Sequence, residues 1–210
     1  MIDGAIANTD RLRREVAPGA PMWLTETAES ACGGNPQASS FADSFRFVDQ
    51  LAKAARHGVA VVMHNTLAAS DYALLDEQTF APRPNYWAAY LWRQLMGHRV
   101  LDAGSVGQGG GLRIYAQCLR DVRGGVTVLA INPDRTEAQD LSLKGAGRLY
   151  SLTQADDAGT KAALNGNTLA LGAGDQLPKL EGARFRDHVR LAASSINFIA
   201  LPQAHNPSCT

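Results

Sequence analysis

The chain has 210 residues, room for one large or two small domains with a buried core. Its 45% hydrophobic and 19% charged content is that of an ordinary globular protein. Lysine plus arginine equals aspartate plus glutamate at 20 each, which excludes a global field drawing in nucleic acid or an anionic membrane. No apolar run approaches the roughly 20 residues that span a bilayer.

The opening residues, MIDGAIANTDRLRREV, lack the basic-then-apolar layout of a secretion signal. They read as an amphipathic helix over about residues 2–16 that begins abruptly, without a cap or lead-in. The turn Pro18-Gly19 leads to a short apolar strand, Met22-Trp23-Leu24-Thr25, and then to a glycine-containing loop, Cys32-Gly33-Gly34-Asn35-Pro36. A second helix follows from Phe41, Phe45, Val48, Ala52 and Ala55, whose steps of four and three fit a 3.6-residue period. His57-Gly58 ends it. Val59-Ala60-Val61-Val62-Met63 is a continuous apolar strand, expected to be buried on both faces. After a longer loop, Pro84 sits near the start of a third helix carrying Trp87, Leu91 and Leu95, with Gly97 as its stop. This alternation is the grammar of a parallel α/β protein. Two strands alone make no stable sheet, so this half is expected to be a fragment or to be completed by another chain.

From about residue 99 the grammar changes. Short strand candidates at 112–119, 126–131, 141–143, 149–152, 168–171, 189–192 and 196–201 are separated by Gly, Asn, Asp and Pro clusters. That pattern suggests an antiparallel sandwich. The expected organisation is therefore an α/β unit over 1–98 and an all-β unit over 99–210.

Glu26 directly follows the first strand. In parallel barrels, reactive groups sit at the C-terminal strand ends, because the loops there form the mouth. The plainer alternative is a loop glutamate bonded to neighbouring amides. Glu29 comes from the same short loop, so it is badly placed to oppose Glu26 across a bond and reads as a rim residue. Asp76-Glu77 read as a turn. His64 and Asn65 end the second strand as Glu26 ends the first, and either can bond a polar ligand; for the histidine a satisfied structural side chain is the equal alternative. Tyr72, deeper in that loop, is packing or a hydroxyl lent to substrate. The run Gly107-Gln108-Gly109-Gly110-Gly111 precedes a strand rather than a helix, so it is a turn and not a phosphate loop. The three cysteines and five scattered histidines match no metal spacing, and no cofactor is expected.

Taken together, PMWLTETAESACGGNP, GVAVVMHNT and DYALLDEQTFAPRPNYWAAYLWRQLMGHRVL resemble the C-terminal part of glycoside hydrolase family 79, the heparanase/β-glucuronidase family. LRIYAQCL, GGVTVLAIN, LNGNTLAL, LPKLEG and SINFIAL follow in the family's order, so the resemblance covers nearly the whole chain. It implies the last strands and helices of a (β/α)8 TIM barrel followed by a β-sandwich. It also implies a retaining glycosidase that cleaves β-linked glucuronic acid, with Glu26 as nucleophile. The loop amides at Gly33 and Gly34 would hold the sugar carboxylate, with Tyr72 helping at the same subsite and Asn65 standing where the family often has glutamine. His64 replaces a basic residue. Ala31 and Cys32 depart from the family's tyrosine and glycine.

The family's acid/base glutamate, which follows an asparagine after an earlier barrel strand, has no counterpart here. The isolated chain is thus expected to be inactive, awaiting the missing N-terminal barrel portion from the same precursor or a partner chain. Cys118 and Cys209 match a family disulfide, which together with the family points to a secreted or periplasmic location. Cys32 is then the odd thiol. The expected partner is a glucuronic-acid-containing glycan, with no nucleic acid and no membrane. The alternatives are a non-catalytic carbohydrate-binding or accessory module, or one chain of a split enzyme.

Overall fold

The computed structural model describes residues 2–30, 33–104 and 111–210. Cys32 and residues 107–110 of the glycine run lie outside these. Helix α1 (Ile2–Val16) leads into strand β1 (Met22–Thr27), and helix α2 (Phe41–Arg56) connects β1 to the parallel strand β2 (Val59–His64). Met22 lies opposite Val59 and Thr27 opposite His64, so the C-terminal ends of the two strands are side by side. Ile6 of α1 packs on Met22 and Ala54 in a small separate core.

Helix α2 starts at Ser40, whose hydroxyl accepts from the Asp43 N–H at 3.4 Å, an N-cap. Its apolar stripe, Phe41, Phe47, Val48 and Ala52, is buried against helix α3 (Pro84–Leu95). Pro84 opens α3, where its missing N–H costs nothing. A buried polar knot fixes the two helices to each other. Asn85 Nδ2 donates to Asp43 Oδ2 at 2.6 Å, and Ser44 Oγ donates to Asn85 Oδ1 at 2.7 Å.

Two expectations for this half need correction. Gly97 is not the stop of α3, which ends at Leu95; it lies inside strand β3 (Met96–Leu101). Glycine is required there because a Cβ would sit 2.5 Å from the Cys118 carbonyl oxygen of the neighbouring strand. Nor is β2 buried on both faces within this chain, since its sheet has only two strands. Met63 is 42% exposed and Trp23 of β1 53%.

The rest of the chain is antiparallel. Strands β3, β4 (Arg113–Leu119), β5 (Val126–Asn132), β10 (Ser195–Leu201), β6 (Gln139–Gln154), β7 (Ala162–Leu164) and β8 (Asn167–Thr168) follow in that spatial order, and β9 (Ala183–Leu191) pairs with β6. A single 3-10 turn, Ala173–Asp175, lies between β8 and β9. Every residue of β5 and β10 is buried, as befits central strands. One face of the sheet, with Tyr115, Leu129, Ile131, Leu152, Ile196 and Phe198, forms a single core with α2 and α3. The opposite face, with Val126, Val128, Ile199 and Leu201, is covered by Leu141, Val189 and Leu191 of β6 and β9.

Strand β6 is continuous where the sequence suggested two short strands. Residues 148–152 pair with β10 and residues 139–149 with β9, with a register shift between Ser142 and Ala146. Gly147 lets the strand pass, since a Cβ there would lie 2.6 Å from the Ala200 carbonyl oxygen and the Phe185 ring.

Two links tie distant segments. Cys118 and Cys209 form a disulfide across 91 residues. The Tyr115 hydroxyl of β4 donates to Asp49 Oδ1 of α2 at 2.6 Å, and Lys53 and Arg113 hold the other oxygen at 3.0 and 2.9 Å.

Candidate active site

β1 runs two residues further than its apolar core suggests, so Glu26 is its penultimate residue rather than the first of a loop. Asn65 immediately follows β2. Its N–H donates to the Thr27 carbonyl at 2.9 Å, which extends the parallel pairing by one step. Its side-chain Nδ2 donates to Glu26 Oε1 at 2.7 Å. The peptide from Asn65 to Thr66 is cis. The exposed Glu26 carboxylate is thus held by one oxygen, and Oε2 has no hydrogen-bond partner among the described residues. Sequence order separates this pair by 39 residues; the parallel register brings them together.

His64 turns a different way. Its Nε2 lies 3.1 Å from the Tyr72 carbonyl oxygen, and its ring meets Phe47 edge-on at 5.4 Å. To bond a carbonyl, Nε2 must carry the proton, which leaves Nδ1 a bare acceptor; that atom is buried with no partner among the described residues. Burial holds the imidazole below the ordinary histidine value, outweighing the bond to Tyr72. His64 therefore anchors the backbone of the second loop, and Tyr72, half-buried, is fixed through its carbonyl.

Gly33 and Gly34 both adopt left-handed backbone, at φ 82° and 88°, a conformation that favours glycine. The Gly34 N–H donates to Asp71 Oδ2 at 2.9 Å, and a Cβ on Gly33 would meet that same carboxylate at 3.1 Å. The Gly34 amide is therefore engaged by an internal carboxylate. Arg83 donates to the Asp71 carbonyl oxygen and, through Nη2, to Asp76 Oδ2 at 3.2 Å. The sequence reading missed Asp71; its one signal is an acid beside Tyr72, in a loop otherwise far along the chain.

Glu29 and Asp76 are committed locally, and Glu77 is exposed. Glu29 Oε1 accepts from Asn35 Nδ2, and its Oε2 is buried without a partner among the described residues. Asp76 accepts from the Thr79 N–H at 2.9 Å and hydroxyl at 2.8 Å, from Arg83 and from the Gln78 N–H, bonds that hold it well below the usual carboxylate range. A cavity of about 870 Å³ opens beside this network, between Gly34, Asp71 and Arg83 on one side and Thr160 and Leu169 on the other. Neither Glu26 nor Asn65 lines it.

An open carboxylate at a parallel strand end, steadied by a neutral amide from the next strand, is suited to attack an electrophilic carbon. The fold's described likenesses are glycoside hydrolases: a 4-O-α-L-rhamnosyl-β-D-glucuronidase from Fusarium oxysporum at TM-score 0.67 and 18% identity, and a GH51 α-L-arabinofuranosidase from Thermotoga petrophila at 0.65 and 11%. Each covers 95% of this chain and 48% of the other, and at these identities the likeness is one of fold.

Sequence relatives are narrower in kind. Heparanase-like protein 1 of Arabidopsis thaliana is 41% identical over 120 residues, covering 57% of this chain and 22% of the relative. Mouse heparanase is 38% identical over 111 residues, covering 51% and 21%. A hyaluronoglucuronidase of Hirudo nipponia is 28% identical over 218 residues, covering 95% and 44%. The chain is thus similar in sequence to heparanases, a heparanase-like protein and a hyaluronoglucuronidase. No family model matches it. The chain spans less than half the length of these relatives.

Proposed function

We propose that this chain carries the nucleophile of a retaining glycoside hydrolase that cleaves β-linked glucuronic acid residues. The observation that carries the proposal is the 2.7 Å bond from Asn65 Nδ2 to Glu26 Oε1 at the adjacent C-terminal ends of β1 and β2. Glu26 Oε2 attacks the anomeric carbon and forms a glycosyl ester as the leaving oxygen departs; water then hydrolyses the ester. Asn65 fixes the carboxylate's rotation and can bond the sugar hydroxyl beside the reacting carbon.

In this reading β1, α2, β2 and α3 are the last strands and helices of a (β/α)8 barrel, and the β-unit packed against it begins with β3 at Met96, a few residues before the 98/99 division the sequence suggested. The exposed Trp23 and Met63 support it, because apolar surface of this kind is normally covered by further structure. The acid/base, about 5 Å from the nucleophile in retaining enzymes, comes from the rest of the barrel. The sugar carboxylate binds at the glycine loop and Tyr72, which requires Asp71 to release Gly34. The disulfide suits a secreted or periplasmic protein.

In the full-length enzyme, Glu26→Gln lowers turnover of an aryl β-glucuronide at least about 1,000-fold, as removal of a nucleophile does elsewhere. Near-normal turnover would falsify the assignment. The isolated chain gives negligible hydrolysis, and sugar release from it would contradict the account.

A further inference from the structure

We infer that the outer face of strand β9 is a docking strip for an anionic polysaccharide, separate from the sheet that carries Glu26. The sequence of β9, ARFRDHVRL, alternates. Phe185, Val189 and Leu191 face the core shared with β6, which leaves Arg184, Arg186, His188 and Arg190 on the opposite, exposed face. Three arginines and a histidine at every second residue span roughly 20 Å at about 3.4 Å per residue, with His188 Nδ1 3.1 Å from Ser142 Oγ. Exposed Lys144 adds to them from the register shift in β6.

Much of the charge of this face is unpaired. Arg184, Arg186 and Lys144 have no hydrogen bond or ion pair among the described residues. Only Arg190 is ion-paired, to Asp140 at 3.2 Å between two side chains more than two-thirds exposed. Of the other nearby acids, Glu181 pairs with Lys179 at 3.1 Å, while Asp187, held by the Gly145 N–H at 2.7 Å, keeps its negative charge and offsets one of the arginines. In the ladder Arg184 lies directly opposite Arg148, a like-charge pairing that opposes sheet stability. The chain as a whole is neutral, so this concentration of charge is local.

The shape of the strip selects the polyanion. No aromatic ring is exposed along it, since Phe185 is turned to the core, so it offers no stacking platform for nucleic-acid bases. None of the exposed large hydrophobic residues lies on β6 or β9, so it has no apolar anchor for a membrane surface. An extended row of arginine forks suits repeated carboxylate or sulfate groups along a saccharide chain.

The test uses the full chain and three immobilised probes: hyaluronan (carboxylate only), dextran sulfate (sulfate only) and neutral dextran. The account expects retention on both charged polymers and none on neutral dextran. Arg184→Ser/Arg186→Ser should weaken binding about tenfold at low salt, with the difference shrinking at high salt as charges are screened. Arg123→Ser/Arg135→Ser, which makes the same change in net charge, should leave binding unchanged. Thermal melting of the β9 variant should be equal or higher, since a like-charge pair is removed. Equal losses in both variants, unchanged binding in the β9 variant, or tighter binding to single-stranded DNA than to either polymer would overturn the inference. Retention by one charged polymer alone would identify which anion the strip takes. None of these outcomes bears on Glu26, so failure here is distinct from failure of the proposed activity.

Discussion

Tyr115→Phe tests how the helices are coupled to the large sheet. The Tyr115 hydroxyl donates to Asp49 Oδ1 at 2.6 Å, and both residues are 7% exposed. Burial, then the bond and charge of Asp49, push the phenol well above its ordinary value, so it stays a donor throughout the accessible range. The substitution keeps the ring and removes only the donor. Asp49 Oδ2 retains Lys53 and Arg113, so the carboxylate is not stranded; the loss is one bond to a charged acceptor, about 1.5–2 kcal/mol. Urea unfolding followed by tryptophan fluorescence measures it, because Trp87 sits in the core shared by α3 and the sheet. In a double-mutant cycle with Asp49→Asn, the coupling should account for most of the Tyr115→Phe effect. A loss below about 0.5 kcal/mol, or no coupling, would refute the idea that this bond joins the two parts.

Three further outcomes follow from the geometry. Reducing Cys118–Cys209 frees a loop of 91 residues and should lower stability by about 4–5 kcal/mol in the chain-entropy model, read as a lower urea midpoint with reductant; an unchanged midpoint contradicts this. His64 is depressed in the folded state, so below its unfolded value of 6.5 the unfolded chain takes up a proton that the native state refuses. Its contribution to stability is therefore present above about pH 6.5 and lost as pH falls below it, and His64→Gln should flatten that part of the stability profile. An NMR titration placing His64 at or above 6.5 would reverse the sign. Asn65→Ala in the full-length enzyme should lower kcat about 10- to 100-fold with folding intact, since Glu26 loses its orienting amide; an effect on KM alone would show that Asn65 only binds substrate.

Much of the fold was legible, for reasons that lie in particular residues. The 3.6-residue spacing from Phe41 to Ala55 and the apolar blocks of β5 and β10 read directly as elements, because burial dictates their pattern. β6 did not, since Lys144-Gly145-Ala146-Gly147 has the composition of a turn and the register shift keeps it in the strand. β3 was hidden by Gly97, which serves a close approach to Cys118 and not a helix end. β7 was missed because Ala162-Ala163-Leu164 is too short and alanine-rich to signal a strand. At the site, spacing showed that Glu26 and Asn65 each end a strand, but only the parallel register shows that they touch. The capture of the Gly34 amide by Asp71 has no sequence signature, because it depends on how two loops fold onto each other.

The most direct test of the account is chemical rescue of Glu26→Ala in the full-length enzyme. With an aryl β-glucuronide that needs no acid assistance and added azide, the account predicts restored release of the phenol. The product should be the α-glucuronyl azide, because azide enters from the face the carboxylate has vacated. Absence of rescue together with substantial residual activity, or a β-configured azide, would contradict Glu26 as the nucleophile.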